Sequence, residues 1–268
     1  MVEFLLPGMT SENRFNFEWS KYKELDPSYE EQFLGWVNPL EPEDFKDQTV
    51  LDAGCGMGRN SFWPLKYGAK KVVVFDNAEG TLQSARQTLA SYSNIEALKM
   101  SIYDIPWQNE FDIAFSIGVI HHLKDPQLAI KKMVQAVKPN GLVLIWVYGY
   151  ERNEWIVRLV SPVRKYFTSK LPPFILDKLV YFVSTPLYLF VKIFLVKNEY
   201  LKQLKTFNFR HVHSIVLDQL LPEIANYWKK EEVLSLMNKV NLKNVQIRHH
   251  NNNSWTAWGS KLEDIYGK

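Results

Sequence analysis

The stretch Thr49-Val50-Leu51-Asp52-Ala53-Gly54-Cys55-Gly56-Met57-Gly58 decides how the rest of the chain is read. A β-branched and apolar run meets an acidic residue, then glycines at alternate positions. That order reads as a strand ending in a tight turn whose backbone can come close to a ligand. Backbone N–H groups at the start of a following helix can receive a carboxylate, a phosphate or ordered water. The glycines fall as G-x-G-x-G, not as the pyrophosphate-directed G-x-G-x-x-G. Asp52 stands two residues before the first glycine. A carboxylate there suits a cofactor with a positive group or an amino-acid moiety better than a pyrophosphate.

Outward from this turn the chain alternates. Strands are expected at Val50 to Ala53, Lys71 to Asp76, Ile95 to Met100, Phe111 to Ser116 and Leu142 to Val147, with helices at Gly58 to Tyr67, Glu79 to Tyr92 and Pro126 to Val137. Such alternation argues for a parallel sheet covered on both faces, and right-handed crossovers make it doubly wound α/β. Ligands then gather at the carboxyl ends of the strands. Asp76 ends the second strand, beside the glycine turn, where a carboxylate can accept two hydrogen bonds from a ribose diol.

After Tyr148 the alternation stops. Pro162, Pro172-Pro173, Pro186 and Pro222 break the following stretch into short helices and loops. The expected divisions are 1–48, a helical lead-in or lid; 49–150, the cofactor core; 151–228, a helical insertion; and 229–268, a helix with two closing strands around Asn251-Asn252-Asn253. Phe174 to Val196 is rich in Leu, Val, Phe and Tyr but is interrupted by Asp177, Lys178, Pro186 and Lys192. Charges inside a bilayer span are costly. Packed helices are the first reading, and a face for peripheral membrane or an apolar, lipid-like substrate the second.

Composition narrows the classes. The chain has 268 residues, 46% hydrophobic and 23% charged, enough for one substantial core. A formal net charge of +3 is too weak a bias to argue for nucleic acid. A single cysteine excludes an internal disulfide framework and fits a cytoplasmic, reducing compartment.

Taken together, the motifs resemble those of class I S-adenosylmethionine-dependent methyltransferases. Residues 50–58 resemble the family's first motif and Val72 to Asp76 its second. Ser101-Ile102-Tyr103-Asp104-Ile105-Pro106 resembles the adenine-recognising segment. Phe111 to Leu123 resembles the fourth-strand motif, and Val137 to Gly141 the turn before strand five. The resemblance implies a seven-stranded, mostly parallel sheet with an antiparallel final strand, S-adenosylmethionine as cofactor and S-adenosylhomocysteine as product. It implies that Gly54, Gly56 and Gly58 wrap the methionine part, ordered by Asp52. It gives Asp76, with Asn77, to the ribose and Asp104, with Tyr103 or Ile105, to the adenine. Ser116 and Ile117 would lie near the sulfonium.

The acceptor side is less constrained. A base helps methyl transfer when the acceptor is a hydroxyl or an activated carbon. His121 and His122, beyond the fourth strand, are the first candidates, and His213 in the insertion is another. Arg14, Trp19 and Tyr22 near the N-terminus, with Arg210, His211 and Tyr227, are candidate substrate contacts. His211 with His213 lacks an obvious third ligand, so no metal is expected. Ser116-Ile117-Gly118-Val119 stands where the nucleic-acid N6-amino enzymes carry an Asp/Asn-Pro-Pro-aromatic tetrapeptide. With the small net charge, this favours a small-molecule acceptor at O, N or C, with nucleic acid an unlikely partner. The alternative is a non-catalytic binding protein that keeps the fold.

Overall fold

The computed structural model describes residues 14, 15, 17, 29–197 and 199–263. Seven strands form one sheet in the order β3-β2-β1-β4-β5-β7-β6. They are β1 Thr49–Ala53, β2 Lys71–Asp76, β3 Ile95–Lys99, β4 Phe111–Ile117, β5 Val137–Tyr148, β6 Leu242–His250 and β7 Ser254–Lys261. The first five run parallel. β7 is reversed and pairs antiparallel with both β5 and β6. The expected doubly wound sheet with an antiparallel final strand is what the chain forms.

The central strands are apolar at successive positions because both of their faces are covered. Val50, Val72, Val74 and Phe115 pack with the helices α1 Tyr29–Val37, α2 Phe62–Lys66 and α3 Glu79–Thr88. Leu51, Val73, Phe75 and Ala114 point the other way, toward α4 Pro126–Ala136 and, through Val233 and Met237, a helix at Lys230–Asn238. The period-two alternation along each strand thus divides its side chains between two cores. α4 starts where the sequence says it should. The Asp125 side chain accepts from the Leu128 N–H at 2.9 Å and Pro126 occupies the first turn.

The expected helix from Gly58 to Tyr67 is shorter, with regular α-helix only over Phe62–Lys66. Gly58 has φ +84°, outside the helical region, so the chain turns through residues 59–61 first. β1 pairs with β2 on one side and β4 on the other, so the chain's direction of winding switches there, and the strand ends diverge into a crevice.

Residues 151–228 follow β5 as helices. α5 is Ser161–Tyr166, α6 Pro173–Ile193, α7 Glu199–Thr206 and α8 Phe209–Leu220, with α9 the helix at Lys230–Asn238. α6 lies along α8, where Leu176 and Val180 meet Leu217 and Leu221, and Val191 meets Val212. These apolar clusters are small, and buried polar ties supplement them. Arg164 donates to the carbonyls of Gln219 and Ala225 at 3.2 and 3.1 Å. Arg14, fully buried, donates to the carbonyls of Leu171 at 2.8 Å and Leu221 at 3.1 Å.

Candidate functional site: a cavity at the carboxyl ends of the strands

The turn after β1 folds back onto β2. The N–H groups of Gly54 and Cys55 both donate to the Phe75 carbonyl, at 3.0 and 2.9 Å. Gly54 has φ +87°, and a Cβ there would meet Val119 at 2.5 Å. Only glycine allows this backbone and this approach. Asp76 is fixed at the end of β2, its carboxylate accepting from the N–H of Gly56 at 3.1 Å and of Ala78 at 3.0 Å.

Asp52 lies behind the turn. It is buried and accepts a 2.6 Å hydrogen bond from the Ser61 hydroxyl. Burial pushes its carboxyl up to about 7, with the Ser61 bond opposing and the Asp76 charge adding to the shift.

Turn, strand ends and insertion enclose a cavity of about 1100 Å³. Small-molecule sites commonly run from roughly 300 to 1,000 Å³. Of the residues the sequence nominated for the cofactor, Gly54, Gly56, Asp76, Asn77, Tyr103 and Ile117 line it. Asp52, Gly58, Asp104, Ile105 and Ser116 do not. Gly58 instead packs its backbone against Leu89 and Ala85. Ser116 is buried, its hydroxyl donating to the Ala53 carbonyl at 2.7 Å. One 3₁₀ turn, Ile102–Asp104, sets how this segment meets the cavity, and it corrects the assignment of Ile105 to the adenine. That turn presents Ile102 and Tyr103 to the cavity, leaves Asp104 exposed to solvent, and is followed by Ile105 buried in the core. Ser101, which opens that segment but was given no role of its own, also lines the cavity.

The three candidate bases also separate. His121 is wholly buried, its ring 3.8 Å from that of Tyr148 and both ring nitrogens without a hydrogen-bond partner. Burial drives its pKa well below the ordinary histidine value, so it stays neutral and away from the cavity. His213 is equally buried, with Nδ1 2.7 Å from the Ser184 hydroxyl and Nε2 3.4 Å from Asp177, tying α8 to α6. Neither lines the cavity, which corrects their nomination as catalytic groups.

His122 does line it. Its Nδ1 lies 2.6 Å from the Ile224 carbonyl. A carbonyl only accepts, so the proton sits on Nδ1 and the lone pair on Nε2. Burial lowers the His122 pKa, more than the Asp218 charge and the Ile224 carbonyl raise it, which keeps the ring neutral.

Around His122 is a hydrogen-bonded chain the sequence did not disclose. The Tyr148 hydroxyl donates to Asp218 at 2.6 Å and accepts from Gln219 at 3.0 Å. The Tyr227 hydroxyl donates to the Gln219 side-chain oxygen at 2.6 Å. All four line the cavity. Tyr148 ends β5, a position whose importance the strand pattern could have signalled. Asp218 arrives from α8, seventy residues away; it stands in the polar cluster from Arg210 to Tyr227, but nothing local marks its pairing with Tyr148.

Of the nominated substrate contacts, Tyr227 and His211 line the cavity, His211 with Nδ1 2.9 Å from the Tyr29 hydroxyl. Arg14 is spent on backbone carbonyls and Arg210 is exposed outside the cavity, so both are corrected. Trp19 and Tyr22 lie outside the described residues. Among the described residues no group of three or more His, Cys, Asp or Glu side chains could hold a metal ion.

A family model described as "Methyltransferase domain" matches residues 51–145. In fold, the chain is similar to a SAM-dependent methyltransferase from Aquifex aeolicus, with TM-score 0.54 at 16% identity, covering 92% of this chain and 98% of that one. It is likewise similar to human N-acetylserotonin methyltransferase in complex with SAM, with TM-score 0.56 at 12% identity, covering 94% and 57%. The chain carries a class I S-adenosylmethionine-dependent methyltransferase domain.

Among curated proteins it is 31% identical over 141 residues to the tRNA U34 carboxymethyltransferase of Campylobacter curvus, and 30% identical over 123 residues to that of Alteromonas mediterranea. These matches cover 52% and 43% of this chain, and 44% and 37% of the relatives, so the chain spans less than half of their length. Relatives named for a tRNA activity overturn the expectation that nucleic acid is an unlikely partner. Net charge was the wrong guide, because a modest overall balance says nothing about where the charges lie.

Proposed function

We propose that this chain transfers a methyl group from S-adenosylmethionine to a small molecule with an apolar body and a polar nucleophile. The observation that carries the reading is the single cavity joining the glycine turn to the His122 and Asp218 cluster. Its residues fit the cofactor. The glycine turn puts the backbone of Gly54 and Gly56 on the cavity wall, and Asp76 presents a carboxylate already oriented by two N–H groups. Gly54 and Gly56 would hold the methionine part and Asp76 the ribose hydroxyls. Ser101, Ile102 and Tyr103 would flank the adenine. When bound, the cofactor supplies an activated methyl group.

The remaining work falls to the chain's own residues, which position the acceptor and exclude water. His122 Nε2 takes the acceptor's proton, because Nδ1 is held as the donor to Ile224. Asp218, oriented by Tyr148, stabilises the imidazolium that forms. Leu159, Val163, Leu179 and Val183 line the far part of the cavity and suit an apolar acceptor body.

A second reading, a tRNA acceptor, is favoured by what the curated relatives are named for. Calorimetry with S-adenosylmethionine tests the cofactor, and no binding overturns both readings. Release of S-adenosylhomocysteine is then followed with organic-extractable cell metabolites and, separately, with total tRNA. Turnover on the extract supports the small-molecule reading; turnover on tRNA alone replaces it with the second.

A further inference from the structure

Among the described residues, all the large exposed apolar side chains except Leu128 and Leu262 fall between Trp155 and Leu195. Phe182 is 80% exposed, Ile193 70% and Leu195 97%. Exposed apolar side chains concentrated in one segment mark a contact site, whereas scattered ones are ordinary surface. Within residues 155–197 the exposed charges are one-sided. Arg158, Lys165, Lys170, Lys178 and Lys197 are exposed, while Asp177, the only acid from 155 to 197, is buried against His213. The cavity reaches the same face, since Leu179 and Val183 line it while their neighbour Phe182 points outward.

We propose that this face seats in the interfacial layer of an anionic lipid bilayer, with α6 lying along the surface. At about 1.5 Å per residue, the 21 residues of α6 are long enough to cross a bilayer. Crossing is opposed by its inner stripe. Leu176, Asp177, Val180, Ser184 and Val191 are buried, and Asp177 and Ser184 face His213 of α8. An amphipathic helix with an apolar outer face and flanking cations instead lies flat, its cations meeting the phosphate layer. The inference concerns this surface and stands whether or not the methyl-transfer reading does.

The test is flotation of the purified full chain with vesicles of phosphatidylcholine alone or mixed with phosphatidylglycerol. Flotation is expected with the mixed vesicles, weaker with phosphatidylcholine alone, and reduced by added salt on the mixed vesicles only. The double variant Phe182→Asp with Leu195→Asp, neither residue lining the cavity, should lose about tenfold or more of the bound fraction. Its S-adenosylhomocysteine binding by calorimetry should match the parent, showing that the fold is intact. Absent flotation, or equal flotation on both compositions, overturns the proposal. So does a dimer by light scattering that the double variant dissolves while vesicles bind neither protein, since the face would then be a contact between copies.

Discussion

The sheet half of the cavity and the insertion half are built by different physics. Around the glycine turn, each functional group is placed by its own strand end. Asp76 is oriented by N–H groups at Gly56 and Ala78, and Gly54 by its φ and the Phe75 carbonyl. Across the cavity, groups are placed by contacts far apart in sequence, such as Tyr148 with Asp218, His122 with Ile224 and Arg164 with Ala225. A site anchored on strand ends tolerates change in its surroundings. One hung on long-range polar ties fails when a single tie is cut, because the partner stays buried and unsatisfied.

The comparison breaks most sharply at His122. With an acceptor that supports turnover, His122→Ala should lower kcat by about 10²–10⁴-fold, while S-adenosylmethionine affinity by calorimetry stays close to the parent. A parallel loss of cofactor affinity would show that the two halves are not separable. Asp76→Ala probes the opposite half. Loss of a charge-assisted acceptor that also orders the turn should weaken cofactor binding by about 100-fold in the same titration, with little change in melting temperature.

Arg164→Met tests whether the insertion depends on its polar ties. It strips donors from the Gln219 and Ala225 carbonyls and should cost about 2–4 kcal/mol in denaturant unfolding. An unchanged midpoint would mean that the apolar contacts of α6 and α8 suffice.

The smallest effect is expected at Asp52. Its folded value of about 7 lies above the ordinary 3.8, so the folded protein holds a proton there that the unfolded chain has released. Stability linked to this group is therefore greatest at low pH and declines as pH rises from about 4 to 7. A cation in the turn favours the ionised form, so S-adenosylmethionine should bind several-fold tighter at pH 8 than at pH 6. Calorimetry at the two pH values should find this dependence flattened in Asp52→Asn.

Much of the sheet half was legible because its signals are local. A strand that is apolar on both faces, a glycine forced by φ and an acid at a strand end each leave a mark within a few residues. Where that reading slipped, at Ile105, the cause was rotation. A single 3₁₀ turn decides which of four successive side chains meets the cavity, and residue type does not report its phase. In the insertion and the lead-in packed on it, the same kind of reading misplaced His213 and Arg14, while Arg210 faces solvent. Buried polar groups that tie helices together look, in a sequence, like groups that meet a ligand.

The sequence by itself determined the doubly wound sheet, the turn from Asp52 to Gly58 and the place of Asp76, because short-range periodicity and backbone sterics suffice for them. Only the tertiary structure decided that His122 and not His121 faces the cavity, that Asp218 and Tyr148 meet there, and that α6 turns its apolar side outward. Those outcomes depend on how helices dock, and docking is settled by side chains distant in the chain competing to be buried.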